Sequence, residues 1–404
     1  MKCSFICMAA FVALFCTDAT AQEVNINKAI KHSEKQTLLM LKEVQKAQDP
    51  SKPQLVSPRT LEDGKLKLVA SRDWTSGFFP GVLWFLYAHT GSNKWQDEAR
   101  KYTAFIEKEQ TNGTTHDMGF KVYCSVGSGF NLTQDPHYKA VVMQSAKTLA
   151  TRFNPKVGVI LSWDHSRDKW VNPVIIDNMM NLELLFAATT LTGDSTYYQI
   201  AVQHANTTMK NHFRPDYSSY HVIDYDPQTG AVLKKQTHQG YSHESAWSRG
   251  QAWAVYGYTL CYRETKDKRY LDQAEHIADY ILSHRNMPED MVPYYDFDAP
   301  NIPNEPRDAS AAAVIASGLY ELSTYSQNGK KYSESADKMM NSLTAKYISP
   351  LKKNKGFVLL HSTGSKPSNS EVDVPLNYAD YYYLEALLRK KNINTGAPVL
   401  RWRK

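Results

Sequence analysis

Long basic runs are missing from this 404-residue chain, whose formal charge is only +6. That excludes a lysine- or arginine-rich arm for nucleic acid, and leaves room for a small acidic substrate without requiring one. Long apolar runs are missing too. The stretch at residues 5–16, FICMAAFVALFC, is too short to span a bilayer, and no later run is long enough. Cysteine is scarce: Cys3, Cys7 and Cys16 fall in the N-terminal segment, leaving Cys124 and Cys261. There is no CxxC and no metal-type Cys/His cluster, and the two remaining thiols either pair in an oxidising compartment or stay as separate buried groups. Also absent are a P-loop, a GxGxxG fingerprint, an HExxH and a GxSxG elbow. Nothing implies a nucleotide, a metal or any other cofactor.

The N-terminus carries an export pattern. Lys2 precedes the apolar stretch, and Ala19-Thr20-Ala21 gives an A-x-A cleavage site before Gln22. Residues 1–21 are expected to be a signal peptide and the mature protein to be periplasmic. Cys16 raises a lipoprotein as the alternative, but bulky Phe15 stands where lipid attachment wants a small residue. No composition shift divides residues 22–404, so one domain is expected there.

A helical repeat organises that domain. Thr90-Gly91 is followed by Trp95 and Ala99, Thr192-Gly193 by Tyr197 and Ala201, and Thr265 by Tyr270 and Ala274. A looser copy has Gln327, Tyr332 and Ala336, and a further one centres on Tyr138. In each full copy the aromatic and the alanine stack on one helix face, while the Thr-Gly ends the preceding helix. Amphipathic stretches at 78–89, 140–152, 178–191, 251–263, 309–325 and 377–390 lie between copies. The uneven spacing implies long variable loops, where function tends to sit. Short strands are expected at 220–224 with 231–235, and at 356–361. The pattern gives an all-α toroid of helical hairpins with short strands in loops. An open solenoid competes, but the polar capping repeats it would need are missing.

Several polar residues stand where packing alone does not need them. Asp117, in His116-Asp-Met-Gly-Phe120, either caps a helix or serves a site. Asp177 sits between two apolar runs, so burial would raise its pKa as a general acid requires, and it also suits the N-cap of a helix from 178. Arg249 and Trp253 share a helix face, as a carboxylate fork with a stacking platform or as an internal cation–π pair. His221 in the hairpin is either a sugar ligand or a structural histidine. Two aspartates in an aromatic-rich ring, with 25 Tyr and 8 Trp, suggest glycoside chemistry.

Taken in order, Trp74-Thr-Ser-Gly-Phe-Phe-Pro-Gly81, His116-Asp-Met-Gly-Phe120, Ile176-Asp-Asn-Met-Met-Asn181, Gln239-Gly-Tyr241, Ser248-Arg-Gly-Gln-Ala-Trp253 and Asn377-Tyr-Ala-Asp-Tyr-Tyr382 resemble the unsaturated glucuronyl hydrolases of glycoside hydrolase family 88. The resemblance covers residues from about 30 to about 390. It implies an (α/α)6 barrel and hydrolysis of the 4,5-unsaturated uronic acid that polysaccharide lyases leave on short acidic oligosaccharides. In that reaction an acid protonates C4, water adds at C5, the hemiketal opens and the neighbouring sugar departs. By resemblance, Asp177 is the general acid/base and Asp117 the second essential aspartate. His221, Gln239, Arg249, Trp253 and Trp74 line the uronate subsite. The loop His361-Ser-Thr-Gly-Ser365-Lys366-Pro367 resembles a selectivity element, with Ser365 and Lys366 as candidate sulfate readers. Glycosaminoglycan disaccharides are the first expectation. Unsaturated rhamnogalacturonyl or ulvan fragments, and a non-catalytic sugar-binding toroid, are the alternatives.

Overall fold

The computed structural model describes residues 24–400, and the expected signal peptide at 1–21 lies outside the described residues. Among the described residues, twelve α-helices are distributed over two rings. The inner ring comprises α2 (Phe78–Thr90), a π-helix (Gly119–Gly127) running into α4 (Ser128–Thr133), α6 (Leu182–Thr192), α8 (Ser248–Thr265), α10 (Ala309–Leu322) and α12 (Asn377–Asn394). Each inner element contacts the next, and α12 returns to α2, so the ring closes. The outer ring is α1 (Ile26–Ala47), α3 (Asn93–Ala104), α5 (Pro136–Ala150), α7 (Ser195–Asn211), α9 (Lys268–Ser283) and α11 (Gly329–Ser342). This is the expected α/α barrel. One hydrophobic cluster runs through it from Ala29 to Leu388.

The burial of the two rings explains their sequences. Inner α10 is buried along its whole length, and its run of alanines lets α8 and α12 approach closely. Outer α9 buries a single stripe, including Tyr270, Ala274, Ile277, Ala278 and Ile281. Tyr270 and Ala274 are the repeat pair, as are buried Trp95 and Ala99 in α3.

The Thr-Gly signal has a clear mechanism. At Thr90, Thr133, Thr192 and Thr265 the hydroxyl donates to the carbonyl four residues back. It also accepts the N–H two residues on. The residue between is left-handed, Gly91 at φ 67°, Gln134 at 57°, Gly193 at 75° and Lys266 at 59°. In three copies an aspartate (Asp135, Asp194, Asp267) then caps the outer helix. Inner-to-outer turns are therefore short and lie on one face. The long outer-to-inner connections all emerge on the other.

Those connections carry the strands. The hairpin at 220–224 and 231–235 is present as strands Val222–Tyr225 and Val232–Gln236, with a short strand Pro173–Ile175 added on the free side of the first. A hairpin of β1 (Leu55–Glu62) and β2 (Lys65–Ala70), which the sequence pattern did not announce, crosses the same face. The strand expected at 356–361 is reduced to a single bridge between Ile348 and Leu359, because Val358 and Leu359 donate their N–H groups to the buried Asp380 carboxylate instead. Cys124 and Cys261 are not joined to each other by a disulfide, and Cys261 is buried.

Candidate active site

Residues at the N-terminal ends of five of the six inner elements line one cavity. Trp74 precedes α2, Asp117 precedes the π-helix, and Asp177 lies in a 3-10 turn (Ile176–Asn181) ahead of α6. Arg249 opens α8, Asp308 caps α10 and Tyr378 opens α12. The cavity has a volume of about 320 Å³, and Trp74, Asp117, Asp177, Gln239, Arg249 and Ser365 are among its lining residues. That is the size range of small-molecule sites. Helix N-termini carry partial positive charge, so those that border this space favour an anionic ligand.

Asp177 is 7% exposed, and its Oδ2 has no hydrogen-bond partner. Burial pushes its pKa up to about 7, the nearby Asp117 charge adds to the rise, and the Arg249 charge opposes it. Burial, the cause expected from the apolar runs around Asp177, is the larger of the two that raise it. Asp177 sits in the first helical turn instead of at the cap position expected for it, and Ile175 precedes the turn. Asp117 does not cap the π-helix either. Its Oδ2 accepts the Thr115 hydroxyl at 2.7 Å, and Oδ1 lies 3.3 Å from the His116 ring.

Two contacts hold the aspartates' helices together. Gly119 is required because a Cβ there would sit 2.7 Å from the Asn181 Cα. Asn181 in turn accepts the Phe120 N–H at 3.1 Å, a donor at the helix start that lacks an intrahelical acceptor.

His221 lies within reach of Asp177, with its Nε2 3.6 Å from Oδ2. Its Nδ1 accepts two backbone N–H groups, from His238 at 3.1 Å and Gln239 at 3.2 Å. Two donors on Nδ1 place the proton on Nε2, facing Asp177. Burial holds the imidazole well below its ordinary pKa, so the ring is a neutral donor of fixed tautomer.

Four sequence expectations shift. Trp253 is fully buried beneath the site and packs on Phe120 at 5.1 Å, so it is no exposed stacking wall. Its indole N–H closes no full hydrogen bond but helps to favour the ionised form of Asp177. Arg249 stacks on Trp247 at 4.6 Å and on Tyr378 at 5.4 Å, not on Trp253. The Arg249 fork is already occupied by Asp308 at 2.6 Å and by the carbonyls of Thr363 and Gly364, leaving only Nε without a partner. Gln239 likewise donates to the Gly364 carbonyl at 2.9 Å. Lys366 is exposed and off the cavity wall, whereas Ser365 is on it.

Other wall residues were missed from sequence. Arg59 comes from the unannounced β1–β2 hairpin. Tyr378 lay inside a quoted motif, and its buried hydroxyl has no partner within the protein, a signal visible only in three dimensions. Trp163 and His165, also on the wall, stack on each other at 5.2 Å.

Known proteins are similar to this chain in sequence and fold. An unsaturated glucuronyl hydrolase of Formosa agariphila is 54% identical over 329 residues, covering 80% of this chain and 82% of that protein. An unsaturated chondroitin disaccharide hydrolase of Streptococcus pyogenes is 32% identical, covering 87% of this chain and 89% of its own length. The crystal structure of an unsaturated glucuronyl hydrolase specific for heparin superposes with a TM-score of 0.86 at 45% identity, covering 91% of this chain and 98% of that one. Residues 52–400 match Glycosyl Hydrolase Family 88. The chain belongs to that family and is a glycosidase.

Proposed function

We propose that this glycosidase removes the non-reducing-end 4,5-unsaturated uronic acid from lyase-generated glycosaminoglycan disaccharides by hydrating the C4=C5 vinyl ether. Relatives whose names specify heparin and chondroitin disaccharides support the substrate class. The observation that carries the mechanism is the buried Asp177 carboxyl, with its pKa pushed up to about 7 by burial at the floor of the cavity. A carboxyl protonated near neutrality can give its proton to C4. As carboxylate it then takes one from the water adding at C5, which regenerates the acid. The resulting hemiketal opens and the second sugar leaves. The Nε2–H of His221 faces Asp177, and the Tyr378 hydroxyl, with no partner in the protein, is on the cavity wall where it can donate to the uronate. The Lys2, apolar and Ala19-Thr-Ala21 pattern supports export and a periplasmic site of action.

The test is loss of the ultraviolet absorbance of the conjugated uronate on incubation with lyase-generated disaccharides. Turnover should plateau below about pH 7 and fall roughly tenfold per pH unit above it, as the acid loses its proton. A rate that stays level well above that pH removes Asp177 from the acid role.

A further inference from the structure

The cavity wall contains two guanidinium groups, and neither has charge to spare for a ligand. Arg249 is matched by Asp308. Arg59 meets two carboxylates: its Nε and Nη2 grip Glu371 at 2.6 and 2.8 Å, and its Nη1 donates to Asp73 at 2.8 Å. One positive and two negative groups leave this cluster with a net charge of −1.

Glu371 belongs to a hairpin-like loop, residues 362–374. Backbone bonds pair Ser362 with Val374, Gly364 with Glu371 and Ser365 with Ser370, and a turn joins Asn369 to Lys366. The base of the loop is fastened by Arg249 and Gln239 through the Thr363 and Gly364 carbonyls, and its returning arm is fastened by Arg59 through Glu371. Toward the cavity it presents Ser365, Ser368, Ser370 and Glu371, while Lys366 points elsewhere. The wall thus offers hydroxyls and one largely buried carboxylate, with a side chain 9% exposed.

Resting on the reaction assigned above, we propose that Glu371, held by Arg59, is a specificity-determining residue for the leaving sugar. The wall accepts a sugar that turns hydroxyls toward the loop and disfavours one that carries a sulfate there. A sulfate within reach of the serines faces the Glu371 charge, and like charges across a recognition surface suppress the wrong partner. Arg59 offers no rescue, because all three of its nitrogens already donate to carboxylates. Recruiting it would leave Glu371 buried and unpaired.

The test compares kcat/KM for two unsaturated disaccharides of the same linkage, one bare and one sulfated at O6 of the amino sugar. Wild type should favour the bare disaccharide by roughly tenfold or more. Glu371→Gln, which keeps the shape and removes the charge, should narrow that ratio several-fold by a gain on the sulfated substrate. The same preference should appear, independently of the Glu371 variant, as weaker competition by the sulfated disaccharide for binding to Asp177→Asn protein. Equal use of both substrates by wild type overturns the proposal, as does an unchanged ratio in Glu371→Gln with both rates lowered. A sulfate preference erased by Lys366→Ala overturns it in favour of the loop tip as a sulfate reader. Absence of turnover on either disaccharide overturns the assigned reaction itself, a result distinct from turnover without the ratio.

Discussion

Asp177→Asn is expected to lose turnover by roughly 10²–10⁴-fold and at the same time to become harder to unfold. The second effect follows from the first group's environment. In the folded protein burial lifts the carboxyl to about 7, whereas in the unfolded chain it returns to the ordinary value near 3.8. Below the unfolded value both states are protonated and no penalty exists. Between the two values the native state holds a proton that the unfolded state has lost, so stability falls as pH rises. Above about pH 7 the native state carries a buried anion and the loss is complete, at roughly 2–4 kcal/mol for a carboxyl this well enclosed. Asparagine never ionises, so the advantage of the variant should grow from about pH 5 to about pH 8 by roughly 2–3 kcal/mol, a few degrees in Tm. Asp380, also lifted to about 7 by burial, titrates in both proteins and cancels. Thermal melts at the two pH values decide the matter: a gain that does not grow with pH means Asp177 is not held in the state that an acid needs.

The barrel was legible because its information is local. A threonine that bonds back four residues and forward two, a left-handed residue and an aspartate cap form a signal within one turn of chain. The aromatic and alanine that follow share a face by simple helical spacing. The β1–β2 hairpin escaped notice because its register is irregular, with shifts between Leu55 and Ser57 and between Pro58 and Thr60, so clean alternation is lost. The strand expected at 356–361 failed for the opposite reason: its apolar run reads as a strand, but a carboxylate 21 and 22 residues away captures its N–H groups.

The site was legible only as far as its motifs reach. Asp117, Asp177, Arg249 and Gln239 do stand around one cavity. Their partners could not be read, since Arg249 binds loop carbonyls 114 and 115 residues away and Arg59 reaches Glu371 across 312. Helical spacing put Arg249 and Trp253 on one face of α8, yet the side chains diverge, Trp253 into the barrel axis and Arg249 toward the loop. Sequence spacing sets which residues can meet; the long connections on one face of the ring set which ones do.

Arg249→Met is the other change with a large expected effect, and it acts on stability first. The guanidinium is 1% exposed and Asp308 is fully buried, so removing the cation strands a carboxylate in the protein interior at about 3–5 kcal/mol. It also frees the Thr363 and Gly364 carbonyls, loosening the base of the loop that carries Glu371. Adding Asp308→Asn removes the stranded charge and keeps an oxygen for the Ser310 and Ala311 N–H groups at the start of α10, so most of the lost stability should return. Activity should not return with it. The Arg249 charge is what pulls the Asp177 pKa down toward 7, and without it the carboxyl stays protonated to higher pH. With the base of the loop unfastened and the Asp177 carboxyl a weaker acid, the double variant should be folded and slow, with the fall in its remaining rate displaced to higher pH. A double variant no more stable than Arg249→Met alone would show that the pair is not coupled, and an unshifted pH profile would show that Arg249 serves the loop alone.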